Sequence, residues 1–452
     1  IQLNLILIYL LIKSKRKHDS YIKESLYIDK ITKLWNIDKF IIEAYKTLSI
    51  NVSTQYTVVS VNISKFRYVI ETYGYYFGDK VLKEVAELFL ENLPKGSLSV
   101  RYSADRFVFI IPFDQEDDIR YRLNKLYDLL EYIKIEDKII KLSFNTGVYI
   151  LKENDYIRHS KDLFIYIDKA ELSRMEINSE IKNQIIFFED FMHEVFLSEK
   201  NIEESLENAL KTNEFIVHYQ PKFDLINNEV IGAEALVRWN SKRLGYLYPN
   251  DFIPFLEKSN NIIEVDFYVL NEVCRLIREL LDRGLKPIPI SVNQSRNHML
   301  SPNYFERINS ILTKYDIPKN LIEFEITERV FLELDNAAEF MNEMNNLGYM
   351  VSMDDFGSGY SSLNLLNQVS FTTLKLDRCF LSDKADDGKS KIILKSIFKM
   401  AEHLEMSVIC EGVESIKQEE LLRSVGCTYV QGYYYSKPIP EYDFVSKYII
   451  PV

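Results

Sequence analysis

The sequence predicts an α/β protein in two parts, an α/β sandwich followed by a (β/α)8 barrel of the TIM type. Three observations predict it. Eight short apolar segments recur between residues 216 and 432, most of them separated by helical stretches. Each carries a polar residue inside it or just past its end, which is where such barrels gather their active sites. Ahead of them, strands and helices alternate in a different pattern and lead into a long acidic helix. The 452 residues, at roughly 150 per domain, leave room for both parts. An apolar content of 47% excludes a disordered or fibrous chain.

Taken in order, residues 1–12 are almost wholly apolar and are followed by Lys13, Lys15, Arg16 and Lys17. This is the pattern of a spanning helix cut short, with its basic cluster on the cytoplasmic side. A buried helix start or a signal-peptide remnant are the alternatives, although a signal peptide carries its positive charge before the apolar core. The expected place of the chain is therefore the cell membrane, with residues 1–19 as tether and the rest cytoplasmic. Residues 20–40 read as a helix, Tyr56–Ile63 as a strand and Asp79–Asn92 as a helix. Ser99–Phe113 reads as two strands joined by a tight turn, and Lys141–Ile150 as a further strand. These make the sandwich, 20–188. Residues 189–213 have helical periodicity and no Gly or Pro, so 189–200 is a helical connector able to transmit orientation. The barrel takes 201–447. Its strands are Ile216–Phe223, Val230–Trp239, Ile288–Val292, Leu321–Ile326, Met350–Met353, Thr373–Leu376, Ser407–Ile409 and Tyr429–Gly432.

The polar residues of those eight segments are Gln220, Glu234, Asn293, Glu325, Asp354, Lys375, Glu411 and Gln431. Strands end where polar residues begin, so some coincidence is guaranteed, yet five of the eight are Glu, Asp or Asn. Acids crowded at one rim repel each other unless cations neutralise them. The cations are not held by sulfur or imidazole. The four cysteines, all from Cys274 onward, have no CxxC spacing, and the six histidines form no HExxH or HxH. Hard oxygen ligands suit Mg²⁺ or Mn²⁺. Asp354 and Asp355 stand side by side at a strand tip, placed to serve two ions about 4 Å apart, an arrangement suited to in-line attack on a phosphodiester. Lys375 adds a cation and Glu411 a group able to orient or deprotonate water. The net charge of −12, from 55 basic and 67 acidic residues, argues against a nucleic-acid polymer as partner. The residues alone thus predict metal-dependent phosphoryl hydrolysis without naming the substrate.

Glu234-Ala-Leu-Val-Arg238 resembles the signature of EAL domains, the phosphodiesterases that open cyclic di-GMP to pGpG. Matching motifs follow in order: Tyr219-Gln-Pro221, Pro249–Pro254 with Glu257, Ser291–Ser295, Glu325–Glu328, Asp354–Leu363, Leu374–Asp377, Glu411–Glu414 and Gln431–Tyr433. The resemblance implies that Glu234, Asn293, Glu325 and Asp354 hold one metal, while Asp354 and Asp355 reach the second. It gives Glu411 and Lys375 the attacking water, with Asp355 counted among the catalytic residues. Gln220, Arg238 and Gln431 contact substrate, and Glu328 steadies the loop after Asp355, a loop tied to dimer-coupled regulation. Ser358 and Cys410 depart from the usual Thr and Ala without removing a ligand.

The first part is similar to GGDEF domains, the diguanylate cyclases, over Asp29–Phe40, Asn62–Phe66, Gly74–Asp79 and Ser103-Ala-Asp-Arg-Phe107. Here the departures count. Both signature glycines are gone, the metal-binding acids are Asn62 and Arg106, the guanine-reading position is Ile70, and the product-inhibition motif is missing. The resemblance implies a degenerate domain without cyclase activity, serving as scaffold, dimer partner or signal relay. It also implies a homodimer through either domain. The runner-up reading is a cyclic di-GMP receptor that binds without cutting, and a third is a purely structural interaction protein. A complete ligand set favours the enzyme over both.

Overall fold

Asp29 decides how the first unit begins. Its Oδ1 accepts hydrogen bonds from the backbone N–H of Ile31 (3.2 Å) and Thr32 (2.8 Å) and from Thr32 Oγ1 (2.7 Å). An aspartate that captures its own backbone in this way competes with helix formation. Residues 28–36 accordingly form a turn closed by an Ile28–Trp35 bridge, and the helix starts only at Ile37. This corrects the continuous helix expected over 20–40. The structure, a computed structural model, describes residues 27–50, 55–113, 115–152, 155, 159–177, 182–301, 303–333, 337–357, 366, 369–381 and 388–450. The apolar segment 1–12 with its basic cluster, residues 20–26 of the expected helix, and the loop 358–363 with Ser358 lie outside the described residues. Among the described residues no helix is long and apolar enough to cross a membrane. The chain divides into two units, 1–198 and 199–452.

In the first unit, α1 (Ile37–Ile50) is followed by β1 (Thr57–Ile63), α2 (Phe66–Tyr73), α3 (Tyr75–Asn92), β2 (Leu98–Ser103), β3 (Arg106–Ile111) and α4 (Glu116–Leu130). A small hairpin of β4 (Tyr132–Ile135) and β5 (Lys138–Lys141) comes next. Then follow β6 (Phe144–Ile150), α5 (Leu163–Met175), β7 (Ile185–Phe187) and α6 (Asp190–Lys211), within which the boundary between units falls. The strand expected over 141–150 is thus two, broken at Leu142–Ser143. The sheet order is β2-β3-β1-β6-β7. Strand alternation sends Val59, Val61 and Ile63 to a core shared with α3 and α4, and Val58 to a second core shared with α1 and α5. Both faces are covered, so the strands read as near-continuous apolar runs. Gly147 on β6 lets α5 approach, since a Cβ there would lie 1.9 Å from the Ala170 carbonyl oxygen.

In the second unit, β8 (Phe215–Asp224) and β9 (Glu229–Ser241) lead into β10 (Gly245–Leu247), α7 (Pro249–Lys258) and α8 (Ile262–Asp282). The barrel continues through β11 (Ile290–Asn293), α9 (Tyr304–Tyr315), β12 (Ile322–Thr327), α10 (Glu328–Glu333), α11 (Ala337–Asn346), β13 (Met350–Phe356), β14 (Thr373–Leu376) and α12 (Gly388–His403). It ends with β15 (Ser407–Cys410), α13 (Ile416–Val425), β16 (Tyr429–Val430), β17 (Ile439–Pro440) and α14 (Glu441–Tyr448). Pairing runs β8-β9-β11-β12-β13-β14-β15-β16 and returns to β8, which closes an eight-stranded barrel. From β9 to β16 every neighbour is parallel. β8 alone is reversed, antiparallel to both β9 and β16. The cause is local. Only the turn 225–228 joins β8 to β9, and Asp224 Oδ1 pins it through the N–H of Ile226 (2.7 Å) and Asn227 (3.2 Å). A turn that short permits a hairpin, never the helical crossover that a parallel pair needs.

Candidate active site

The barrel strands bring most of the residues singled out in the sequence to one rim. Asn293 closes β11, Glu325 lies late in β12, Asp354 and Asp355 lie in β13, and Lys375 lies in β14. Glu411 and Gln431 stand immediately after β15 and β16. Glu234 sits mid-strand because β9 runs on past the barrel to pair with β10. Gln220, on reversed β8, is its direct cross-strand partner.

Lys375 is the hub, with its side chain 1% exposed. Its Nζ lies 2.5 Å from Glu325 Oε2, 2.7 Å from Glu411 Oε1, 3.0 Å from Asp354 Oδ1 and 3.6 Å from Glu234 Oε2. Glu234 also accepts from Asn293 Nδ2 (2.9 Å) and Gln431 Nε2 (2.6 Å), and Gln431 Nε2 reaches Gln220 Oε1 at 3.2 Å. Asp355 takes a left-handed backbone conformation, φ 56°, with its N–H on Asp354 Oδ1 at 3.0 Å. That conformation is uncommon for a residue with a side chain and marks a site under constraint. Glu328 Oε2 accepts from the N–H of Gly357 (3.2 Å), the glycine at which the chain leaves β13. Gly357 has φ 95°, and a Cβ there would meet the Phe380 ring at 2.3 Å, so this loop start admits glycine alone.

Arg238 stands apart. It lies four residues beyond Glu234 on the same face of β9, roughly 13 Å along the strand. Its Nη1 donates to the Val237 carbonyl (2.8 Å), and its guanidinium lies 5.8 Å from the centre of the Tyr248 ring. It therefore lies outside the acidic cluster gathered around Lys375.

Burial dominates the electrostatics. It pushes the Glu411 carboxyl well above the ordinary range, with Lys375 opposing, and it raises Glu234, Asp354 and Asp355 as well. Burial also works on Glu325, but the ammonium groups of Lys222 and Lys375 overcome it and hold that carboxyl at about 2. Burial works against the charge on Lys375, yet Asp354, Glu234, Glu325 and Glu411 keep it charged far beyond the usual lysine value. A rim with this many acids per cation takes up more positive charge readily.

The donor set fits a hard divalent cation. Asp354, Asp355 and Glu411 each offer a carboxylate oxygen, all within 4.8 Å of one another. Among the described residues Gln431 Oε1 is buried at the same rim without a hydrogen-bond partner. Oxygen donors of this kind suit Mg²⁺ or Mn²⁺. Two residues of this neighbourhood were not singled out in the sequence, Lys222 and Glu323, both buried under the rim. The signal was there in the strand period, since Lys222 follows Gln220 by two residues and Glu323 precedes Glu325 by two.

Comparison with known proteins agrees with this geometry. A family model described as "EAL domain" matches residues 203–438, and one described as "Diguanylate cyclase, GGDEF domain" matches 26–173. The chain is similar to the "Bifunctional diguanylate cyclase/cyclic di-GMP phosphodiesterase MucR" of Pseudomonas aeruginosa, with 28% identity over 93% of this chain and 61% of that protein. It is also similar to the "Cyclic di-GMP phosphodiesterase PdeR" of Escherichia coli, with 28% identity over 86% of this chain and 58% of that protein. The chain thus spans about three fifths of the length of these curated relatives. Among solved structures, "PaMucR Phosphodiesterase, c-di-GMP complex" shares 31% identity and a TM-score of 0.51 over 54% of this chain and 99% of that one.

Proposed function

Because the chain belongs to the EAL domain family and carries a GGDEF domain ahead of that barrel, we propose that it opens cyclic di-GMP to linear pGpG at the acidic rim. Two Mg²⁺ or Mn²⁺ serve as cofactors in this reading. The observation that carries it is the convergence of Glu234, Glu325, Asp354 and Glu411 on Lys375, with Asp355 alongside. Glu234, Asn293, Glu325 and Asp354 would hold one ion, and Asp354 with Asp355 would hold the other. When bound, such ions polarise phosphoryl oxygens and make water a better nucleophile. Glu411, kept protonatable by burial, takes the water's proton, and Lys375 steadies the Glu411 carboxylate beside the reacting phosphate. Gln220 and Gln431 contact the substrate near the rim. Arg238, a guanidinium suited to phosphate oxygens, takes its far side.

The GGDEF-like half makes no cyclic di-GMP in this reading. Asn62 faces Arg106 across β1 and β3. Arg106 is engaged with Ser103 Oγ (2.9 Å) and Glu171 Oε2 (3.5 Å), so a guanidinium stands where a cation would have to be held. Ala104 is forced to φ 39°, a conformation that glycine adopts freely. The domain then acts as a regulatory scaffold. A homodimer, a membrane tether through residues 1–19 and cytoplasmic catalytic domains complete the proposal.

The test incubates the purified chain with cyclic di-GMP and Mg²⁺ or Mn²⁺ and follows products by chromatography. The expected result is pGpG, abolished by EDTA. Tight cyclic di-GMP binding without cleavage would replace the enzyme with the receptor reading.

A further inference from the structure

Below its rim a (β/α)8 barrel is normally filled by branched apolar side chains. Here Lys222, Ser291, Glu323, Ser352 and Thr373 are buried instead. Burying charge is costly unless every charged group is paired, so a polar floor calls for a reason. Strand geometry shows where it lies. Ser291, Glu323 and Thr373 each precede a rim residue (Asn293, Glu325, Lys375) by two positions, which puts them on the same inner face one step deeper. Lys222 comes two positions after Gln220, and since β8 is the reversed strand, later also means deeper. Its cross-strand partner is Gly232, which contributes no side chain to the space that the lysine stem fills.

Lys222 Nζ has three acceptors for its three protons: Ser291 Oγ, Glu323 Oε2 (2.9 Å) and Glu325 Oε1 (2.9 Å). Both oxygens of Glu323 are engaged within the floor, its Oε2 also accepting from Ser291 Oγ (2.6 Å) and its Oε1 from Thr373 Oγ1 (2.7 Å). Glu325 is shared between floor and rim. Lys222 holds its Oε1 from below, and its Oε2 meets Lys375, which also serves Asp354, Glu411 and Glu234.

We infer that Lys222 is a positioning residue for Glu325, anchoring Oε1 from beneath so that the carboxylate plane is fixed and Oε2 alone is presented to a cation at the rim. This rests on the reading of the rim as a divalent-metal site. Ligand carboxylates held by outer hydrogen bonds typically lose about 10- to 100-fold in metal affinity when the outer partner is removed.

The test measures Mn²⁺ binding to the full chain without substrate, by the loss of the free-ion paramagnetic resonance signal. Lys222→Met is expected to weaken Mn²⁺ binding by about 10- to 100-fold. Because that variant leaves Glu323 short of a cation, Lys222→Met with Glu323→Gln is measured beside it and shows the same loss in a folded barrel. Glu323→Gln alone keeps the Lys222–Glu325 contact and binds Mn²⁺ as the parent does. The inference is overturned if the double variant binds Mn²⁺ normally, or if Glu323→Gln loses as much as Lys222→Met. It is overturned equally if both Lys222 variants stay unfolded in saturating Mn²⁺, which makes the floor a purely structural ion pair. A parent chain that binds Mn²⁺ yet leaves cyclic di-GMP intact would sink the proposed activity and leave this inference standing. A parent chain that binds no Mn²⁺ would sink both.

Discussion

Replacing Lys375 with methionine keeps most of the side-chain volume and removes the one ammonium group that three buried carboxylates and the half-buried Glu411 share. Glu325 retains Lys222, but the buried Glu234 and Asp354 and the half-buried Glu411 are left without their cation. Removing one partner of a buried ion pair costs about 3–5 kcal/mol. For a domain of this size roughly 2–4 °C is lost per kcal/mol, so the barrel transition should fall by about 6–20 °C in EDTA. Saturating Mn²⁺ at about 100 times its dissociation constant returns about 2.7 kcal/mol per site. The pH dependence has a definite sign. These carboxyls are raised by burial above the ordinary values of 3.8 for Asp and 4.5 for Glu. The folded state therefore binds more protons than the unfolded one, and stability falls as pH climbs above the ordinary value. The loss should be largest at alkaline pH and shrink as the acids take up protons. Scanning calorimetry of the full chain in EDTA and in Mn²⁺, at pH 5.5 and 8, reads all of this, and the Mn²⁺-sensitive transition identifies the barrel. A variant whose barrel melts with the parent in EDTA, or whose deficit is the same at both pH values, would refute the reasoning.

Three further outcomes follow from the same geometry. Glu411→Gln should lower kcat by at least about 100-fold while cyclic di-GMP still binds, because shape and charge at the rest of the rim are kept; affinity lost in step with rate would make Glu411 an anchor rather than a base. Arg106→Glu, made in a Glu234→Ala background so that product survives, should still yield no cyclic di-GMP from GTP, because Asn62, Ala104 and Ile70 remain; any cyclase product would end the scaffold reading. Gly147→Ala should destabilise the first unit by about 1–3 kcal/mol or more, because the new Cβ meets backbone atoms of Ala170 and Arg174 at 1.9 and 2.5 Å; a urea midpoint equal to the parent's would show that α5 shifts at no cost.

The barrel was legible because its strands repeat one local rule, an apolar run with a polar residue inside it or just past its end. That rule also located Glu234, Asn293, Glu325, Asp354, Lys375, Glu411 and Gln431. It could not show that β8 runs backwards, since strand patterning carries no direction; the direction lies in the shortness of the turn 225–228. The turn at Asp29 was missed for a related reason, as a helical period in the apolar residues does not reveal that one carboxylate has captured the backbone. The floor is hidden in the sequence because Lys222 and Glu323 sit inside apolar runs, away from the strand ends where the rim residues gather. Their pairing joins residues about 100 positions apart, and no local pattern encodes it.

The reversed first strand also sets a timetable for synthesis. The β8–β9 hairpin can form as soon as both strands have emerged, but the barrel closes only when Tyr429 and Val430 pair with Asp224 and Phe223. At roughly 5–20 residues per second, the ribosome takes about 10–40 s to make the intervening roughly 200 residues. Through that interval the outer edge of β8 stays unpaired, and the acids of the rim remain hydrated and apart. Crowding them together, the costly event, is thus postponed until two residues at the far end of the chain arrive. An unpaired strand edge is a template for wrong pairing, and here one edge stays open for most of the barrel's translation.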